Sequence, residues 1–183
     1  MRDKERTVAA LILTGAPGAG KTSALAALGA RLEIEGRAYG AIETEQLAQG
    51  SPLLRNEEWI PQLAAVLRLQ RELGRRFFLI VATLESEADL RGVVEAADAD
   101  RTLVVCLRAA AETLAERLDA REPVSWPGRQ PLIEHARELA DRVPAIEGID
   151  LVLDTDSVDR DVVVTEILAA LAAAGMYAPP AVD

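Results

Sequence analysis

Gly15-Ala16-Pro17-Gly18-Ala19-Gly20-Lys21-Thr22 meets every fixed position of the phosphate-cradling pattern G-x-x-x-x-G-K-[ST]. The glycines let a backbone wrap an anion closely and adopt φ values that side chains resist. Lys21 has the length and charge to reach the β- and γ-phosphates of a nucleotide, and the Thr22 hydroxyl is a ligand for Mg²⁺. The candidate cofactor-binding set is therefore Gly15, Ala16, Pro17, Gly18, Ala19, Gly20, Lys21, Thr22 and Ser23, with ATP and Mg²⁺ as the expected cofactors. A chance glycine-rich turn is the competing reading. The flanks argue against it, because a continuous apolar run at 8–13 precedes the loop and a helical pattern from Thr22 follows. A loop between a buried strand and a helix start aims several N–H groups at one point, where the helix dipole favours an anion.

Two further groups of residues are able to do chemistry. Glu43-Thr44-Glu45 follows an apolar run at 38–42. Two carboxylates one residue apart can divide labour, one holding water on a metal and the other accepting a proton from an attacking hydroxyl. A solvated acidic turn is the bland alternative. Arg117 and Arg121 stand four apart on a helical pattern and so share a face. Guanidinium groups can stabilise charge on a transferring phosphoryl group or stack on a base. Salt bridges to Glu112, Glu116 and Asp119 of the same helix would be the ordinary use of such a pair. Glu85 either ends a strand as a metal-associated acid or caps the next helix. Arg108 adds positive charge nearby. His135 reads as surface or partly buried, and Trp59 and Trp126 as packing or as borders of a substrate pocket.

These residues need a scaffold that presents strand ends on one side. Apolar runs at 8–13, 38–42, 77–84, 102–107 and 151–153 alternate with helical patterns at 22–35, 57–73, 86–97, 111–121, 132–143 and 160–174. That alternation is the mark of a parallel sheet with crossover helices, an α/β fold with helices on both faces. In such sheets ligands collect beyond the carboxyl ends of the strands, which is where the phosphate loop, Glu43 and Glu45 fall. The stretch 122–131, with three prolines, has no periodicity and reads as a surface connection or a lid. One domain over 1–175 is expected, followed by a disordered tail at 176–183.

Composition narrows the partners. Half of the 183 residues are hydrophobic but only 3% are aromatic, so the core is aliphatic. A formal net charge of −10 disfavours nucleic acid and anionic membranes, leaving a small molecule as the expected partner. Cys106 stands alone in an apolar run and has no internal disulfide partner. The charged stub at 1–6 and the short apolar run after it are too short for a signal peptide or a membrane span, so a cytoplasmic location is expected.

The arrangement resembles the small P-loop metabolite kinases, a group that includes gluconate, shikimate and adenylylsulfate kinases and chloramphenicol phosphotransferase. Arg117-Leu118-Asp119-Ala120-Arg121 is similar to the R-x-x-x-R that opens the lid of nucleotide-type kinases. There the first Arg lies against adenine and the second contacts phosphates. Glu43-Thr44-Glu45 stands where the group has D-x-D, implying Glu43 toward Mg²⁺ and either acid as base. Gly50-Ser51-Pro52-Leu53 with Trp59 and Leu63 is similar to a G-x-P-L…W-L segment of gluconate kinases, and the resemblance places Asp156 near adenine. It implies a sheet order of 2-3-1-4-5 and transfer of the ATP γ-phosphate to a hydroxyl of a sugar acid, cyclitol, nucleoside or antibiotic-like alcohol. Catalysis would then fall to Lys21, Glu43, Glu45, Arg117 and Arg121. The chain departs from the group in having Glu for Asp, in offering only Asn56-Glu57-Glu58 where an Asp-Arg pair follows P-L, and in lacking the glycine-rich end of strand three. It also resembles uncharacterised bacterial ATPases of this size. Two other readings remain. A nucleoside monophosphate kinase would draw on Arg55, Arg68, Arg129 and Arg137, and a slow nucleotide-hydrolysing switch would act through a partner, although no N-K-x-D or D-x-x-G motif is present.

Overall fold

A computed structural model describes residues 7–178. Its elements in chain order are β1 (Ala9–Thr14), α1 (Lys21–Ile34), β2 (Gly40–Glu43), α2 (Thr44–Ala48), α3 (Asn56–Glu72), β3 (Phe77–Val81) and α4 (Glu87–Ala97). They continue with β4 (Arg101–Arg108), α5 (Ala111–Arg121), α6 (Arg129–Arg142), a short 3-10 turn at Val143–Ala145, β5 (Leu151–Asp154) and α7 (Arg160–Ala173). The five strands form one parallel sheet in the order β2-β3-β1-β4-β5, as expected.

Every residue of β1 is buried, and the strand is flanked on both sides, Leu11 pairing with Leu79 of β3 and with Leu103 of β4. Successive side chains of a strand point to opposite faces. Leu11, Leu13, Leu79, Val81 and Val105 accordingly join the core under α1, α5, α6 and α7, around Leu28, Leu118, Leu139 and Ile167. Ala10, Ile12, Phe78, Ile80 and Val104 build the other core against Trp59, Leu63 and Leu67 of α3 and Leu90 and Val93 of α4. Both faces are covered by helices and buried, which is why the strands read as unbroken apolar runs. Cys106 is completely buried and free, with its thiol pushed up to about 11 by that burial.

Four expectations are corrected. The third strand ends at Val81 instead of running to residue 84, because the chain leaves the ladder after one more bond, Ala82 N to Leu13 O, and is then tied by Leu84 N to the Thr14 hydroxyl. The second strand runs Gly40–Glu43 instead of 38–42 and the chain is helical from Thr44, so Glu43 closes the strand and Glu45 sits in the first turn of α2. The irregular connection spans only 122–128, since α6 begins at Arg129. Pro131 falls in the first turn of α6, where a missing N–H costs no helical hydrogen bond, so a residue that reads as a loop signal is compatible with a helix start. Finally, the segment expected to be disordered from residue 176 is docked at its start. Tyr177 is 8% exposed, and its hydroxyl donates to Glu35 Oε1 and Oε2 at 2.7 and 2.9 Å. The Arg37 guanidinium lies 4.6 Å from the centre of its ring. Residues 179–183 lie outside the described residues.

Burying an aromatic side chain of this size and then removing it costs about 3 kcal/mol. Tyr177→Ala is therefore expected to lower the unfolding free energy, measured by urea titration, by roughly that amount, whereas Tyr177→Phe, which keeps the ring, should cost only about 1 kcal/mol. Equal losses in the two variants would show that the ring packing contributes little.

Candidate active site

The phosphate loop owes its shape to the strands and helix around it. Gly15 has φ +144°, and a Cβ there would stand 2.3 Å from the Leu107 carbonyl of β4. Gly18, at φ +85°, would bring one within 3.1 Å of the Leu114 carbonyl of α5. The loop thus threads a slot in which a side chain would collide at Gly15 and crowd α5 at Gly18. Gly20 caps α1 in the left-handed region and makes no side-chain cap bond, and the first turn of α1 holds no acidic residue. Its free N–H groups leave partial positive charge facing the loop.

Lys21 is only 7% exposed, and its ammonium donates to Gly15 O at 2.8 Å and Ala16 O at 3.1 Å. Burial lowers its pKa to about 8, opposed by the negative charges of Glu45 and Glu43 and assisted by Arg121. The side chain is folded onto its own loop as an ammonium held out of water, and its charge is stabilised further when an anion arrives.

The two carboxylates lie beside it. Glu43, the last residue of β2, accepts a hydrogen bond from the Thr22 hydroxyl at 3.2 Å. Glu45 Oε1 accepts from the Thr83 hydroxyl at 3.2 Å. Both acids line, with Lys21 and Thr22, a cleft of about 940 Å³ at the carboxyl ends of the strands.

Arg117 does not pair with the acids of its own helix. It crosses the cleft floor to donate to Gly18 O at 3.3 Å, to the Thr155 hydroxyl at 3.1 Å and to Thr155 O at 2.5 Å. Thr155, buried just past β5, also lies within hydrogen-bond distance of Ala19 O and Arg108 O. It is the joint between phosphate loop, β4 and Arg117. The only signal for it in the sequence is a small hydroxyl residue directly after a strand end. Arg121 lines the cleft and is ion-paired to Glu122 at 2.5 Å.

Other candidates are engaged elsewhere. Asp156 accepts from the Ala110 amide with both carboxylate oxygens, at 3.0 and 2.9 Å, fixing the entry to α5, and it does not line the cleft. Arg108 pairs with Asp154 at 3.3 Å. Glu85 is bound to His135 Nε2 at 2.9 Å and bonded through its carbonyl to Arg142, away from the cleft. Trp59 is core, its indole N–H donating to Asn56. Trp126 does border the cleft, half-exposed on the 122–128 connection, and Leu53 of the G-x-P-L segment joins it, together with Gln46, Gln49, Val158 and Arg160, which motif reading missed.

Comparison with known proteins agrees with this geometry at the level of fold. No protein-family model matches the chain, and no curated protein matches it by sequence. Solved structures do. An unliganded sugar kinase from Janibacter sp. HTCC2649 superposes with a TM-score of 0.68 at 15% identity, over 94% of this chain and 99% of that one. A gluconokinase from Sinorhizobium meliloti 1021 gives 0.63 at 24% identity, over 92% and 94%. The adenylylsulfate kinase of Mycobacterium tuberculosis, in complex with AMPPNP and APS, gives 0.63 at 17%, over 91% and 98%. The chain has the fold of the small P-loop kinases, a five-stranded parallel sheet in the order 2-3-1-4-5 flanked by helices.

Two outcomes are expected. With Lys21 titrating near 8, nucleotide binding above that pH requires uptake of a proton. ATP affinity is therefore constant below pH 8 and falls by up to about tenfold per pH unit above it, and Lys21→Met should abolish that slope in calorimetry at pH 7 to 9.5. Arg117→Lys keeps a charge but loses the forked contact to Thr155 and Gly18. It should weaken ATP binding about tenfold, measured by the same titration.

Proposed function

We propose that this chain is an ATP-dependent phosphotransferase that moves the γ-phosphate to a hydroxyl of a small molecule. The contact of 3.2 Å between the Thr22 hydroxyl and Glu43, with a second carboxylate at Glu45 in the same cleft, supports this reading most directly. A site that only bound nucleotide would need the first acid and not the second. The donor set also fits a magnesium ion. Among the described residues no cluster of three or more His, Cys, Asp or Glu side chains is present. Mg²⁺ prefers one or two protein oxygens completed by phosphates and water, and Thr22 and Glu43 are such a pair. Bound there, Mg²⁺ would neutralise charge on the phosphate oxygens.

The protein's own contribution follows from the positions of its side chains. The loop amides and Lys21 hold the phosphate chain and stabilise charge on its equatorial oxygens. Glu45 orients the acceptor hydroxyl and takes its proton as the acceptor oxygen bonds to phosphorus and the bond to the bridging oxygen of ADP breaks. Arg121, which lines the cleft beside Glu122, would exchange that carboxylate for the phosphates, and the 122–128 connection with Trp126 would exclude water. Arg117 positions the loop through Gly18 O and Thr155. Among the described residues no helix is long and apolar enough to cross a membrane. The enzyme is proposed to work in the cytoplasm, where MgATP is abundant.

Coupled ADP release with MgATP and a panel of alcohols tests the reading. At least one acceptor should raise release above the acceptor-free rate. Glu45→Gln should keep ATP binding and lower turnover by about 10²–10⁴. Release that never rises above the acceptor-free rate would return the chain to a hydrolysing switch.

A further inference from the structure

The sheet order divides the cleft into two wings around the phosphate loop, which emerges from the central strand β1. The wing beyond β4 and β5 carries the cations. Arg117 and Arg121 come from α5 and Arg160 from α7, alongside the apolar Val158 and Val163. The wing beyond β2 carries Glu43, Glu45, Gln46, Gln49 and Leu53 and, among the described residues, no cation. On the phosphotransferase reading, Mg²⁺ held at Thr22 and Glu43 would draw the end of the phosphate chain toward β2, so the γ-phosphate would point into this second wing and the nucleoside would lie in the first.

The arginines that could have served an anionic acceptor are elsewhere. Arg55, at the start of α3, is paired with Glu57 at 3.1 Å. Its amide is held by Glu58 at 2.8 Å. Arg68 is paired with Glu72, Arg129 with Asp119 and Arg137 with Glu112. None of these four lines the cleft. An acceptor seated here meets the free oxygen of Glu45, two neutral amides and the apolar surface of Leu53, in a cleft that Trp126 also lines. A carboxylate or phosphate ester would face the like charge of Glu45 and Glu43 while Lys21 and Arg121 are engaged by the nucleotide's phosphates, in a partly dehydrated cleft where such pairs are costly. An ammonium would instead pair with Glu45 or Glu43, and hydroxyls would bond to Gln46 and Gln49.

Resting on the phosphotransferase reading, we propose that the β2 wing selects an uncharged or amine-bearing polyhydroxyl acceptor and rejects carboxylate and phosphate-ester acceptors. This narrows the substrate class to polyols, amino sugars and aminocyclitols, and it sets aside the sugar acids and nucleoside monophosphates.

The test uses the full chain with Mg²⁺ and a non-hydrolysable ATP analogue, titrated by calorimetry with glucosamine, 2-deoxystreptamine and myo-inositol, and with gluconate, shikimate and AMP. The same compounds serve as acceptors with ATP in coupled ADP release. The amine-bearing and uncharged members should exceed the best anionic member at least tenfold in affinity and in kcat/KM. Gln49→Arg, which puts a cation in the wing, should move that ratio toward gluconate by a similar factor. Anionic acceptors that match or exceed the others overturn the proposal. So does silence of the entire panel while the ATP analogue binds. Failure of the analogue itself to bind is a different result, which removes the phosphotransferase reading and this inference with it.

Discussion

The passage of the phosphate loop through the gap between β1, β4 and α5 is the constraint on which the rest of the site depends. At Gly15 and Gly18 the backbone runs so close to the Leu107 and Leu114 carbonyls that any Cβ would collide or crowd. Positive φ at both positions is a backbone conformation that side chains rarely adopt. The slot exists because β4 pairs with β1 along its full length and α5 packs back through Leu114 and Leu118. Arg117 then ties the outside of the loop to Thr155, so the anion site is held from three elements at once. Preorganised amides of this kind need little rearrangement when charge arrives.

Lys21 shows how the same packing sets the electrostatics. Its ammonium is removed from water and satisfied only by loop carbonyls, and burial outweighs the two nearby carboxylates in setting its pKa. A charge held at this cost is one that an anion beside it would relieve. The acids are placed by the neighbouring strand: Glu43 terminates β2 and Glu45 opens α2, so the strand-to-helix step sets one carboxylate against Thr22 and the other against Thr83. The cleft is consequently polarised across the sheet, with arginines toward β5 and carboxylates toward β2. An acidic chain has thereby concentrated cations where a polyanion would lie and withheld them from the opposite end.

Local pattern was sufficient for much of this, and the reasons can be traced to particular residues. The eight residues from Gly15 to Thr22 carry their chemistry in types and spacing, because a phosphate cradle is a local backbone structure. The apolar runs disclosed the strands, since a parallel sheet covered on both faces leaves no polar alternation to confuse them. Arg117 and Arg121 were visible as a pair from helical spacing alone. Glu43 and Glu45 were visible from their place after an apolar run. Boundaries fared less well: Pro131 reads as a loop signal although the first turn of a helix accepts it, and the helix at Thr44–Ala48 is too short for periodicity to reveal.

What tertiary structure decided is which long-range partner each polar side chain finds. Asp156 and Thr155 are adjacent in sequence, yet the carboxylate is spent on the Ala110 amide while the hydroxyl joins the loop, β4 and Arg117. Tyr177 is an ordinary residue in a C-terminal segment until α7 carries it to Glu35 and Arg37. Arg55, Arg68, Arg129 and Arg137 look equally available in one dimension, and only the folded chain shows them neutralised away from the cleft. Short-range order follows from residue types because turns, caps and strand faces involve neighbours in the chain. Selection among competing partners tens of residues apart depends on the sheet order and the packing angles, and no local pattern encodes those.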